Sequence, residues 1–129
     1  MFTERNNGNI QKRLYREWLN NLSMYQQELE HLRQLLNQPA YKSLQPDASI
    51  ELDALTELIQ AEELVIESLS SEVVRRHENA VLKDNELNSQ VMAFTEVIKN
   101  NQLREKIRKA EHSVFYLKYH VHKLLSLAS

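Results

Sequence analysis

The chain has 129 residues, 42% apolar and 26% charged, a balance expected to fold as a single domain over residues 1–129 rather than to stay disordered. It has no cysteine, which excludes a disulfide frame, a thiolate metal site and a cysteine nucleophile. The net charge of −2 conceals a segregation: residues 1–46 carry six Lys/Arg against four Asp/Glu, residues 47–98 three against twelve, and residues 99–129 seven against two.

The only glycine, Gly8, and the two prolines, Pro39 and Pro46, all lie in the first 46 residues. Glycine and proline punctuate turns and end helices, so the sequence from Asp47 onward predicts long helices and an all-α fold. The first element repeats apolar or aromatic residues at alternating spacings of three and four: Tyr15, Trp18, Leu22, Tyr25, Leu29, Leu32 and Leu36. That is a heptad repeat describing a helix with a narrow apolar seam. Leu14, Leu19 and Leu35 flank the seam and widen it, which calls for more than one neighbouring helix. The helix is expected over residues 9–38, capped by Asn9 and stopped before Pro39. Residues 39–47 form a connection in which Tyr41 and Leu44 are expected to fold back onto the end of the bundle.

A second helix is expected to open with Asp47 or Ser49 as its cap, where Glu51 and Asp53 suit the positive end of the helix dipole. Its stripe is Leu52, Leu55, Ile59, Ile66, Leu69, Val73 and Ala80, with two polar residues, Glu62 and Arg76, standing at stripe positions. Leu87, Val91, Phe94 and Ile98 prolong the rhythm without a glycine or proline to stop it. One helix over 48–99, about 75 Å long, is therefore the favoured reading. The competing one breaks it near 83–85, at the polar run Lys83-Asp84-Asn85. The rhythm slips after Ile98 and resumes with Leu103, Ile107, Ala110, Val114, Leu117, Val121 and Leu124. Lys99-Asn100-Asn101-Gln102 therefore reads as a reversal into a third helix over 102–127. The whole is a coiled-coil-like bundle of long antiparallel helices, with different partners covering the two halves of the middle one. Leftover apolar flanks on so thin a molecule predict a homo-oligomer.

Chemistry finds few ingredients. Glu28 and His31 have the Glu-x-x-His spacing of di-iron bundles, but no second such pair exists and His31 points away from the seam. His120 and His122, two apart on a helix, point to different sides; His77 sits at the edge of the stripe. One glycine cannot build a phosphate-cradling loop, and Gly-x-Ser-x-Gly is absent. No catalytic residue, cofactor, metal or small-molecule substrate is expected. The start Met1-Phe2-Thr3-Glu4-Arg5 has no apolar core for a signal peptide, and no apolar run reaches the ~20 residues of a membrane span, so a cytoplasmic protein is expected.

What remains is surface. Glu62 and Arg76 at seam positions are candidates for fixing register or meeting a partner. Arg104, Arg108, Lys109 and Lys123 give the last helix a basic face. That face would attract the acidic middle helix, or track a phosphate backbone; an acidic chain without exposed aromatics among those bases argues against the second. The expectation is a non-enzymatic structural or protein-interaction module acting by helix-face docking and self-association. The alternative is a small nucleic-acid-associated protein using the basic C-terminal helix.

Overall fold

The computed structural model describes the backbone of residues 2–38, 46–83 and 89–128, and the side chains over 10–38, 46–81 and 94–127. Three helices make up this part of the chain: α1 (Phe2–Leu36), α2 (Pro46–Lys83) and α3 (Ser89–Ala128). No strand occurs among the described residues, and the all-α bundle expected from the distribution of glycine and proline is what forms.

The ends differ from expectation for local reasons. α1 begins at Phe2 instead of Asn9, so Gly8 lies inside it. One interior glycine costs only about 1 kcal/mol, which a long cooperative helix absorbs. At the other end the Asn37 N–H donates to the Arg33 carbonyl at 3.1 Å, and the Gln38 N–H to the Leu35 carbonyl at 3.4 Å. The last turn thus tightens just before Pro39, whose ring disfavours helical geometry in the residue ahead of it. Tyr41 and Leu44 lie outside the described residues. α2 opens on Pro46 itself, so Asp47 and Ser49 are helical residues and not caps. A proline costs nothing at this first position, because its missing N–H would have had no helical partner.

The favoured unbroken helix over 48–99 does not form. α2 ends at Lys83 and a new helix opens at Ser89, with 84–88 outside the described residues. The expected reversal at 99–102 is absent too, because α3 runs straight through it. Asn100 is the reason for the difference. It stands three residues before Leu103, in phase with the core, and is only 7% exposed. Phe94 and Ile98, whose spacing continued the stripe of α2, instead face solvent at 75% and 45% exposure. The slip in rhythm marks a change of face along one helix, caused by a polar residue at a core position.

Contacts between the helices order the three rods. Tyr15 meets His77 and Arg33 meets Glu63, so α2 runs back along α1. Arg76 meets Asn100 and Glu72 meets Lys106, so α3 runs back along α2. α3 therefore travels the same way as α1, which it touches where Lys118 meets Glu28. The helices have 35, 38 and 40 residues, or about 53–60 Å each at 1.5 Å per residue. Their matched lengths let α2 be flanked on both sides along most of its course.

The core is the heptad seam of each helix turned inward. Tyr15, Leu22, Leu29 and Leu32 of α1 are fully buried with Ile59, Ile66 and Val73 of α2 and Val121 of α3, in one continuous cluster. Each such aliphatic side chain contributes roughly 1.5–3 kcal/mol by leaving water.

Candidate functional site

One layer of this core is polar, and every helix contributes to it. The Tyr15 hydroxyl of α1 donates to Asn100 Oδ1 of α3 at 2.9 Å. Arg76 of α2 donates from Nη1 to the same oxygen at 3.0 Å, and its Nη2 lies 3.4 Å from Glu72 Oε1. A guanidinium has no acceptor, so it is the amide oxygen, not the nitrogen, that must face it. Burial pushes the Tyr15 phenol above its ordinary value, the carboxylate of Glu96 adding to the effect against the lowering influence of Asn100 and Arg76. The phenol therefore stays a neutral donor at physiological pH. His77 brings its ring edge to Tyr15, centroids 6.5 Å apart, and its buried Nε2 has no hydrogen-bond partner among the described residues. Arg76 was legible in the sequence as a polar residue at a stripe position. Asn100 was not, although counting back three from Leu103 would have found it.

Glu62, the other polar stripe residue, is not brought near Arg76. It lies 14 positions earlier on α2, about 21 Å along the axis. It is half-buried, and burial alone pushes its carboxyl up from the ordinary value. A raised carboxyl disfavours the charged form in the folded chain. The penalty is absent below the unfolded pKa of about 4.3, grows as pH rises through the folded value, and is constant above it. Glu62→Gln is therefore expected to melt higher than the parent at pH 7–8, with the difference vanishing near pH 4. Thermal denaturation by circular dichroism at the two pH values checks this; an equal gain at both would show that charge is not the cause.

The basic residues of α3 separate into two flanks. Arg104 leans toward α1, where its guanidinium carbon lies 5.9 Å from the centroid of the Trp18 ring. Arg108, one turn on, pairs with Glu105 at 3.8 Å, an exposed contact that contributes little. Lys109 and Lys123 lie on the other flank, in heptad register with Lys106, which reaches Glu72 of α2. Both are exposed. Lys118 is drawn to Glu28 at 3.1 Å, so the carboxylate of the Glu-x-x-His pair serves an interhelical ion pair while His31 is exposed.

The sequence reading missed the outer surface. Phe115, Tyr116 and Tyr119 are 57–64% exposed and lie among Arg108, Lys118 and Lys123. The expected lack of exposed aromatics among these bases is thus overturned. Tyr116 packs against His120 with centroids 4.2 Å apart and the rings tilted by 49°, and Tyr119 meets the same ring edge-on. On α2, the residues one position ahead of the core stripe form a second, outward stripe: Ala54, Leu58, Ala61, Val65 and Ser68. Its next member is Glu72, the residue that reaches Lys106, so the stripe lies on the flank of α2 nearest α3. Leu64 and Ile50 widen it on the solvent side. Single exposed apolar residues need no explanation, but a contiguous patch does.

An open groove of about 370 Å³ between α1 and α2, lined by Gln26, Glu67, Ser71, Val74, Arg75 and Glu78, is shallow and mostly solvent-facing. Among the described residues no three His, Cys, Asp or Glu side chains converge as metal ligands would, and no helix is long and apolar enough to cross a membrane. No family model, no curated protein and no solved structure matches the chain.

Proposed function

We propose that this chain is a non-enzymatic structural and protein-interaction module of coiled-coil type, which works by presenting apolar helix faces to other helices and to copies of itself. The observation that carries this reading is the second stripe of α2, Ala54-Leu58-Ala61-Val65-Ser68, exposed along its whole length beside the exposed Tyr116 of α3. A folded chain keeps such a surface at a cost in solubility, and larger patches of this kind mark sites of association. Apolar contact supplies affinity in such docking, while the acidic α2 and basic α3 select partner and orientation.

The test is to recover the tagged wild-type chain and a Leu58→Glu/Val65→Glu variant from native host cells under gentle conditions. The wild type is expected to retain a polypeptide, whether another protein or an untagged copy of the chain. The variant, with unchanged helical circular dichroism, is expected to lose it. Equal recovery by both, or nothing retained by either, would refute the docking face.

A second reading has one observation in its favour. Phe115, Tyr116 and Tyr119 stand exposed among bases on α3, an arrangement on which nucleic-acid bases stack. Against it, Arg104, Lys106, Arg108 and Lys118 are each engaged within the chain. Fluorescence anisotropy with a labelled single-stranded oligonucleotide at 50 mM salt decides the matter. No binding under those conditions removes the nucleic-acid reading.

A further inference from the structure

Two adjacent faces of this bundle complement each other in both charge and shape. On α2, the exposed stripe of Ala54, Leu58, Ala61, Val65 and Ser68 is small or apolar throughout and is bordered by exposed Asp47, Glu51 and Glu57. From residue 47 to 72 this helix holds eight carboxylates and no base. On α3, the flank in register with Lys106 carries Lys109, Ser113, Tyr116, His120 and Lys123. The final stretch, 99–129, holds seven Lys/Arg against two acids. Neither flank is fully covered within the chain, as Leu58, Val65 and Tyr116 are 49%, 45% and 57% exposed.

We infer that the partner of this surface is a second copy of the same chain, docked about a two-fold axis parallel to the bundle so that α2 of each copy lies over α3 of the other. This rests on the docking reading above and names its occupant. Two arrangements bring the α2/α3 face of one copy against that of another. A two-fold axis across the bundle lays α2 on α2 and α3 on α3, setting carboxylates against carboxylates and ammonium groups against each other. An axis along the bundle crosses them, acid over base, with the two helices running in opposite directions as α2 and α3 already do within one chain. Charge therefore selects the crossed form, and like-charge juxtaposition excludes the other. The small side chain of Ala61 leaves a hollow on α2 level with the rings of Tyr116 and Tyr119 on the partner's α3. From Glu51 to Ser68 and from Lys106 to Lys123 the face spans about 25 Å of two neighbouring helices, or about 500 Å² per copy, which reaches the roughly 1,000 Å² expected of a specific interface when both copies are counted.

Register gives a sharp test, because the chain has no cysteine of its own. Glu72 lies level with Lys106, so one turn-pair further along the antiparallel helices Val65 lies level with Ser113. A Val65→Cys chain and a Ser113→Cys chain, mixed and treated with a short bismaleimide, are expected to form one cross-linked heterodimer in high yield. Each chain treated alone is expected to cross-link at least tenfold less. Cross-linking of each chain to itself but not to the other would place like helix on like helix and overturn the crossed dimer. Sedimentation equilibrium is expected to give twice the monomer mass at micromolar concentration, with dissociation raised at least tenfold by Lys109→Glu/Lys123→Glu. A wild-type monomer at 100 µM would overturn self-association. If such a monomer still carried a different protein on its Leu58/Val65 face, the docking reading would stand and only this inference would fall. If it carried RNA there, both would fall.

Discussion

A chain bearing Leu29→Asp is expected to lose roughly 4–5 kcal/mol, a third or more of the stability of an ordinary domain at 25 °C. Leu29 is 0% exposed and lies in the middle of the α1 seam, four residues before Arg33 and four after Tyr25. Two costs combine. Removing a buried leucine side chain costs about 2–5 kcal/mol through lost transfer and the cavity left behind. A carboxyl put in its place either stays charged without a partner or takes up a proton, and each adds to the loss. Met24 supplies the control, on the same helix five residues earlier but 61% exposed. Met24→Asp is expected to stay within about 0.5 kcal/mol of the parent. Urea denaturation of both variants, followed at 222 nm, measures the contrast. Equal midpoints for Leu29→Asp and the parent would mean that the seam of α1 is not the inside of the bundle.

How much of this molecule was legible beforehand follows from what the heptad does and does not encode. A strict three-four spacing announces an inward face, and Tyr15 through Leu36, Leu55 through Ala80 and Leu103 through Leu124 were all named from spacing and are buried apart from the half-buried Tyr25 and the polar positions. Helix boundaries were less legible. Nothing in Lys83-Asp84-Asn85 is a stronger breaker than Lys99-Asn100-Asn101-Gln102, and a polar run is equally compatible with a turn and with a helix whose polar member is satisfied inside. Only the partners decide, and Tyr15 and Arg76 lie 85 and 24 residues from Asn100 in sequence. The outward surface was hidden for a related reason. Leu58, Val65 and Tyr116 look like flanks that widen a core stripe, and whether a flank is covered depends on how far neighbouring helices wrap around it. For a three-helix bundle the answer is not far enough: each helix has two neighbours, and the face opposite them stays open.

The polar layer should behave in the opposite way to Leu29, its members being costly singly and dispensable together. Asn100→Leu is expected to cost about 2–4 kcal/mol, since it takes the acceptor from both Tyr15 and Arg76 and leaves a half-buried guanidinium with Glu72 alone. Tyr15→Phe is expected to cost only about 1 kcal/mol, because Arg76 still satisfies the amide oxygen. The triple variant Tyr15→Phe/Arg76→Met/Asn100→Leu removes the three groups bonded through the amide oxygen at once and leaves Glu72 to Lys106, and apolar replacement of a buried polar group is commonly neutral or stabilising. Its midpoint in urea is expected to return to the parental value or exceed it. What it should lose is uniqueness. The seams of the three helices repeat every seven residues, so a helix slipped by one heptad still puts leucine, isoleucine and valine inward; it does not bring Tyr15, Arg76 and Asn100 together. With the layer gone, slipped and unslipped packings approach each other in energy. The expected signature is poor amide dispersion and broadened lines in the ¹⁵N–¹H spectrum of a chain as stable as its parent. Sharp, singly populated resonances would assign the layer no role in register. A triple variant as unstable as Asn100→Leu would instead make it a net source of stability.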